Sequence, residues 1–227
     1  MGEGFEGRRA LETARRLGAV ASGDEIRAVY EREAPAYDRG QWIPERLLLG
    51  RLRRRLLTRA SGRVLEVGIG TGVNLPFYAP RCPIVGVDLS RPMLERALAR
   101  AYRLGRQVVV EVVDGEALAF PDRSFDTVVS TLTLCTTPDP LRLLREMGRV
   151  CRPTGRVLLM EHGLGTRPLV NWLLHRLEPG QLAKYACHLT RDVAVLPPQA
   201  GLRVLNQERW LFGVLALIEA APNHLTG

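Results

Sequence analysis

Residues 64–72 read Val-Leu-Glu-Val-Gly-Ile-Gly-Thr-Gly, an apolar run of strand length that passes directly into three glycines spaced by two. No other feature of the chain constrains its fold as much. A loop without side chains lets backbone approach a ligand closely. In an open α/β sheet the turn after a strand lies at the C-terminal strand ends, beside the switch in strand order where ligands settle. From residue 63 onward short apolar runs alternate with helical segments, the pattern of a parallel sheet wrapped by helices. Strands are expected at 64–67, 84–87, 108–112, 127–132 and 156–160, and helices at 92–104 and 140–150, each opened by proline near its first turn. Residues 168–185 read as a further helix, interrupted at Pro179-Gly180. Two more apolar runs, 202–205 and 214–220, joined around 210–213, predict an antiparallel hairpin closing one sheet edge.

The first sixty residues have a different grain. Residues 11–20 read as helix, and Ser22 with Glu25 three positions on forms a capping box that starts another. Between 44 and 59, Leu47, Leu48, Leu52, Leu56 and Leu57 recur at helical spacing while Arg46, Arg51, Arg53, Arg54, Arg55 and Arg59 fill most other positions. Such a helix either docks on the sheet with a solvated outer face or touches phospholipid headgroups. The chain thus divides into an N-terminal helical cap, residues 1–60, and one α/β domain, residues 61–227. A length of 227 residues suits that division and leaves little room for a second domain.

With 46% apolar and 25% charged residues the composition is that of an ordinary folded protein. No apolar run approaches the roughly 18 to 20 residues of a membrane span, and Glu3 and Glu6 break any signal-peptide core, so the expected address is cytoplasmic. The formal charge of +8 is carried by arginine, with Lys184 the sole lysine. It reflects either base composition or a surface that meets anionic lipid or nucleic acid. Cys82, Cys135, Cys151 and Cys187 are far apart and form no CxxC pair, so neither a metal site nor a disulfide framework is signalled.

The glycine loop calls for a nucleotide-like ligand. A dinucleotide fingerprint needs GxGxxG; counted from Gly68 the last position is Val73, and counted from Gly70 the third glycine is replaced by Leu75. The lysine followed by serine or threonine of a phosphate-binding P-loop is also missing. A ligand without a pyrophosphate fits better. Asp88, sixteen positions after Gly72, ends an apolar run where a carboxylate can accept both hydroxyls of a ribose. Asp114-Gly115-Glu116 follows the next strand, where Asp114 can accept from an adenine amino group.

The order strand, ExGxGxG, strand ending in Asp, strand ending in Asp-Gly, then 124–129 (Ser-Phe-Asp-Thr-Val-Val) resembles the class I S-adenosylmethionine-dependent methyltransferases over roughly residues 60–163. The resemblance implies a doubly wound, mostly parallel seven-stranded Rossmann-like sheet with S-adenosylmethionine at its strand ends. By the same resemblance Glu66 orients the loop and the cofactor's ammonium end, and Gly68, Gly70 and Gly72 form the loop wall. Asp88 holds the ribose, Asp114 the adenine, and Thr131 and Leu132 lie under the methionine moiety. Asn74, Leu89, Gly115 and Glu116 complete the cofactor set, and Tyr37 closes over it from the cap. No metal ligand is implied.

More narrowly, Tyr37-Asp38 and 117–122 look like the ubiquinone and menaquinone C-methyltransferase superfamily. The stretches 72–78, 132–135, Glu161-His162 and 187–192 are similar to animal membrane-associated thiol methyltransferases and to bacterial phosphatidylethanolamine N-methyltransferases. The implied acceptor is a small molecule or lipid, a thiol or headgroup amine before a quinone. The animal enzymes carry an N-terminal membrane anchor, for which the start Met1-Gly2-Glu3-Gly4 shows no counterpart; peripheral contact with anionic membrane is the reading that remains. Pro197-Pro198 also interrupts a stretch where relatives run a helix. Because the sulfonium methyl is already electrophilic, alignment and water exclusion do most of the work. If the acceptor must lose a proton, the candidates are His162, just past the fifth strand, and His188 with Asp192 four residues on. Trp172, Leu173, Leu174, Trp210 and Phe212 either line an apolar acceptor pocket or pack in the core. A nucleic-acid methyltransferase would need the Asn-Pro-Pro or Asp-Pro-Pro motif of base methylators after the fourth strand; Ser130-Thr131-Leu132-Thr133 stands there, so no nucleic-acid partner is expected. A cofactor sensor with the same cleft but no acceptor site is the other alternative.

Overall fold

Five parallel strands form the middle and one flank of a seven-stranded sheet: β1 (Val64–Val67), β2 (Ile84–Asp88), β3 (Val108–Val112), β4 (Phe125–Thr131) and β5 (Cys151–His162). The hairpin of β6 (Leu202–Trp210) and β7 (Leu215–Pro222) adds to β5 antiparallel, giving the order β3-β2-β1-β4-β5-β7-β6. This computed structural model describes residues 21–223; the helix expected over 11–20 lies outside them. The strand order reverses between β1 and β4. Because Val67 lies opposite both Val87 and Ser130, the glycine loop, Asp88 and Thr131 emerge side by side at one sheet edge.

The central strands are buried on both faces, which is why they read as continuous apolar runs. Alternate residues go to opposite sides. Val128, Leu159 and Ile218 pack with Leu144 and Met147 of the helix Pro140–Val150, while Val129, Leu158 and Leu217 pack with Leu52, Leu56, Leu57, Leu94 and Ala97. In chain order the helices are α1 (Gly23–Glu33), α2 (Tyr37–Pro44), α3 (Gly50–Leu57), α4 (Arg91–Arg103), α5 (Pro140–Val150), α6 (Pro168–Tyr185) and α7 (Leu196–Gln199), with a π-helical turn at Glu45–Leu49 between α2 and α3. Ser22 caps α1 as its sequence predicts: its hydroxyl accepts from Glu25 N, and Glu25 accepts from Ser22 N at 2.8 Å. Asp139 caps α5 by accepting from the N–H groups of Leu141 and Arg142.

The arginine-rich segment docks on the sheet through its leucines, with Arg51, Arg54 and Arg55 exposed on its outer side. Arg53 turns inward and is 3% exposed. Arg55 pairs with Glu208 at 2.7 Å and Arg59 with Glu219 at 2.8 Å.

Three expectations differ from the structure. β5 is longer than 156–160 because Cys151 also pairs with Phe125 of β4; Arg152-Pro153-Thr154-Gly155, turn-like in composition, form the irregularity between that pair and the next, Thr127 with Arg156. α6 runs through Pro179 without interruption; an interior proline deletes one N–H donor, and here its flanking turns carry the helix past it. Trp172, Leu173, Leu174 and Phe212 neither fill the core nor line the cleft described below: α6 buries no side chain, and Trp172 and Phe212 are exposed at 59% and 68%. Among the described residues no helix is long and apolar enough to cross a membrane.

Candidate active site

A cleft opens at the C-terminal strand ends. Its floor and walls come from Val67, Gly68, Ile69, Gly70 and Thr71 after β1, from Asp88 and Leu89 after β2, from Asp114 and Gly115 after β3, and from Thr131, Leu132 and Thr133 after β4. Ile26 and Tyr30 of α1, Tyr37 of α2 and Arg53 of α3 line it from the N-terminal side.

Asp88 is fixed at the rim by backbone. Its Oδ2 accepts from Gly70 N at 2.9 Å and its Oδ1 from Ser90 N at 2.9 Å. Burial raises its carboxyl above the usual range, and the N–H groups of Ser90, Gly70 and Leu89 oppose that rise. Gly68 has φ +71°, and a Cβ there would lie 2.3 Å from Thr133 Oγ1, so the loop needs glycine for both conformation and space. Gly72 has another task. It does not line the cleft, and a Cβ on it would meet Leu75 and Ala97, so it lets α4 pack against the loop.

Glu66 also lies behind the wall. It is 1% exposed, and its carboxylate accepts from Asn74 Nδ2 at 2.7 Å and from the Tyr78 hydroxyl at 2.8 Å. Burial pushes its carboxyl up to about 7, against the hydrogen bonds from Tyr78 and Asn74 and the charge of Arg53. Asn74, fully buried, relays this layer to the cleft by donating to Thr131 Oγ1 at 3.0 Å. Arg53 completes the layer. Its Nη1 donates to Asn74 Oδ1 at 2.8 Å and to Thr131 Oγ1 at 2.7 Å, while Nη2 pairs with Glu45 at 2.7 Å. A guanidinium charge therefore sits in the cleft wall beside the end of β4.

The cap side is tied down as well. The Thr71 hydroxyl donates to Asp38 Oδ1 at 2.6 Å, and Asp38 pairs with Arg100 at 2.9 Å. The Tyr30 and Tyr37 rings lie 6.2 Å apart, and burial raises both hydroxyls well above the ordinary phenol range, so both remain neutral donors. On the β3 side Glu116 turns from the cleft. It accepts from the Thr137 hydroxyl and Asp139 N, each at 2.7 Å, and donates its own N–H to Asp114 Oδ1 at 2.9 Å.

The three candidate proton acceptors are not brought together. His188 pairs through Nδ1 with Glu178 of α6 at 3.1 Å, whereas Asp192 is exposed and lies 3.7 Å from Arg209. Spacing of four residues brings side chains together only on a helix, and residues 186–195 are not helical. His162 lies at the end of β5 with its Nε2 3.2 Å from Cys187 Sγ. A hydrogen bond from Cys135, then His162, holds the Cys187 thiol below the usual range and raises Cys135 in turn. None of the three lines the cleft. Glu161, next to His162, is pushed up to about 7 by burial and accepts from the N–H groups of Thr133 and Leu134 and from the Ser130 hydroxyl, holding the loop after β4.

Arg53, Thr71 and Tyr30 line the cleft without a distinguishing sequence motif. Arg53 is hidden in a run of arginines; its one distinguishing mark is its place on the leucine face of α3, beside Leu52, Leu56 and Leu57.

Residues 65–159 match the methyltransferase domain family. Phosphatidylethanolamine N-methyltransferase of Cereibacter sphaeroides is 45% identical over 104 residues, covering 45% of this chain and 51% of that one. Thiol S-methyltransferase TMT1B of Homo sapiens is 40% identical over 112 residues, covering 47% and 46%. The chain spans about half the length of the curated relatives it matches. Among solved structures, the YcgJ protein of Bacillus subtilis superimposes with a TM-score of 0.59 at 25% identity over 71% of each chain. A SAM-dependent methyltransferase of Thermotoga maritima does so with 0.65 at 21% identity, over 86% of this chain and 99% of the other. Residues 65–159 thus match the methyltransferase domain family, and the glycine loop at the switch in strand order and the antiparallel hairpin beyond β5 belong to the same Rossmann-like fold as that Thermotoga maritima structure.

Proposed function

We propose that the protein transfers the methyl group of S-adenosylmethionine to a small or lipid-like nucleophile, a thiol or a headgroup amine. The observation that carries this reading is Asp88: a half-buried carboxylate held by two backbone N–H groups at the rim of a glycine-walled cleft, with acceptor capacity left for a ribose diol. Asp114, which lines the same cleft after β3, takes the adenine. Arg53 places positive charge in the wall near Thr131, where the methionine carboxylate has a partner. Glu66 and Asn74 hold the loop and Thr131 in register from behind. The described part of the cap, through Ile26, Tyr30 and Tyr37, closes the cleft and excludes water.

When bound, the cofactor supplies an electrophilic methyl carbon on a sulfonium. The protein's share is to align the incoming sulfur or nitrogen with it. His162, His188 and Asp192 all stand outside the cleft wall, and the cleft tyrosines are neutral phenols, so the chain's own contribution is positioning and desolvation before proton transfer. The similarity to a phosphatidylethanolamine enzyme and to thiol enzymes supports the acceptor class. Exposed apolar side chains on α6 (Leu169, Trp172, Leu173, Leu177) and at the hairpin tip (Leu211, Phe212) favour delivery of that acceptor from an anionic membrane surface. The tip accepts a backbone bond from Thr166 at 2.7 Å, just ahead of α6.

The test is an acceptor screen with purified protein, scored by release of S-adenosylhomocysteine. Turnover is expected with thiols or phosphatidylethanolamine and none with tRNA or DNA. Tight cofactor binding with no release on any acceptor would make the protein a sensor.

A further inference from the structure

Three residues far apart in sequence converge outside the cleft lining. Cys135 follows β4, His162 ends β5, and Cys187 follows α6. Cys187 Sγ lies 3.2 Å from His162 Nε2, and all three donor atoms fall within 4.8 Å of one another. We propose that Cys135 Sγ, His162 Nε2 and Cys187 Sγ form a binding site for a soft divalent metal ion of the zinc class.

Two thiolates and an imidazole suit zinc in particular, at bond lengths of about 2.3 Å to sulfur and 2.0 Å to nitrogen. Tetrahedral angles at those lengths put ligand atoms roughly 3.5 to 3.8 Å apart, so donors already inside 4.8 Å need only small side-chain adjustments. Both cysteines are buried, which shields the site from bulk water.

The scaffold around these donors is also already assembled. His188 N donates to Cys135 O at 2.8 Å, joining the Cys187 segment to the loop after β4. Leu164 N donates to Arg191 O at 3.0 Å, joining the end of β5 to the same segment. The Arg191 guanidinium donates to Leu134 O and to Thr137 O, bracketing Cys135. Glu161 anchors the N–H groups of Thr133 and Leu134 from below. Ligands held this way lose little freedom on binding. Three protein ligands leave a fourth tetrahedral position for water or a small thiolate. Two metal–thiolate bonds replace two S–H bonds, with release of up to two protons to solvent, and no redox change is involved.

The probe is cobalt(II) added to the full-length, reduced protein, followed by competition with zinc. The expected result is about one equivalent bound, with thiolate-to-cobalt charge-transfer bands and the intense visible bands of a tetrahedral site. Zinc should abolish these bands, Cys135→Ser and Cys187→Ser should lose them, and Cys82→Ala should keep them. Absence of bands in the wild type, or bands that survive both serine variants, overturns the proposal. A Cys135–Cys187 disulfide in protein isolated from zinc-supplemented medium also overturns it, in favour of a redox pair. Should the serine variants fail to fold, alkylation of the wild type followed by peptide mass mapping decides: zinc must protect Cys135 and Cys187 but not Cys82, and equal labelling refutes the site. Methyl transfer enters neither readout, so the metal site and the proposed activity stand or fall separately.

Discussion

Removing Asp88 tests the cofactor reading at its most exposed point. Each oxygen of this carboxylate already accepts one backbone N–H, from Gly70 and from Ser90, both at 2.9 Å. An ionised carboxylate has about four lone-pair sites, so each oxygen can still take one ribose hydroxyl. A hydrogen bond to a charged group contributes about 1.5 kcal/mol at the low end, and two give ~3 kcal/mol, or roughly a hundredfold in affinity. Asp88→Ala should therefore weaken S-adenosylmethionine and S-adenosylhomocysteine alike by about that factor in isothermal titration calorimetry. The two backbone donors lose their acceptor in the same variant. Asp88 is only partly buried by solvent exposure, so water can replace it there, and the stability loss should stay near ~1 kcal/mol. A thermal melt run beside the titration separates the two effects. If the folded variant binds within threefold of wild type, no ribose sits on Asp88 and the cofactor assignment fails with it.

Gly68→Ala should lose cofactor affinity and stability together: the left-handed backbone costs a β-carbon about 1 to 2 kcal/mol before the collision with Thr133 is counted, and a melt unchanged from wild type would contradict the loop geometry. Glu66 predicts a pH dependence. Its carboxyl titrates near 4.5 when unfolded and near 7 when folded, so the folded state holds the extra proton in between; its stability contribution is complete below about pH 4.5 and is lost as pH rises through 7. The loss is on the order of 3 kcal/mol. Glu66→Gln should flatten the fall in melting temperature between pH 5 and 8 without abolishing it, since Glu161 titrates in the same direction; an unchanged slope refutes the assignment. Co-sedimentation with phosphatidylglycerol vesicles at low salt should be strong for wild type and weakened by Trp172→Ser with Phe212→Ser; no wild-type binding removes the membrane reading.

The sheet was legible because its signals are local. Val64–Val67 and Val108–Val112 were read to the residue, as was the α5 span Pro140–Val150, since a buried parallel strand is a run of apolar residues and a proline-opened amphipathic helix repeats every 3.6. Elements whose boundaries depend on partners were not. The turn-like residues 152–155 interrupt the ladder, and β5 extends across them because Cys151 before them pairs with Phe125 of β4; Pro179 looks like a stop, yet α6 runs on through it.

The same division explains which parts of the site were read. Residues that line the cleft at the strand ends, Gly68, Gly70, Asp88 and Thr131, end or directly follow strands, so strand positions place them. The layer behind them does not obey sequence distance: Arg53 reaches Thr131 across 78 positions, and Cys187 meets His162 across 25 and Cys135 across more. Spacing rules such as CxxC see only ligands carried on one turn, and i,i+4 rules hold only on a helix. His188 and Asp192 fit the second pattern in sequence and part in space, whereas Cys135, His162 and Cys187 fit neither and meet. The chemistry most worth testing in this protein is thus the part assembled by topology, where the ends of β4 and β5 and the segment after α6, tied together by Arg191 and Glu161, bring two thiols and an imidazole within reach of one another.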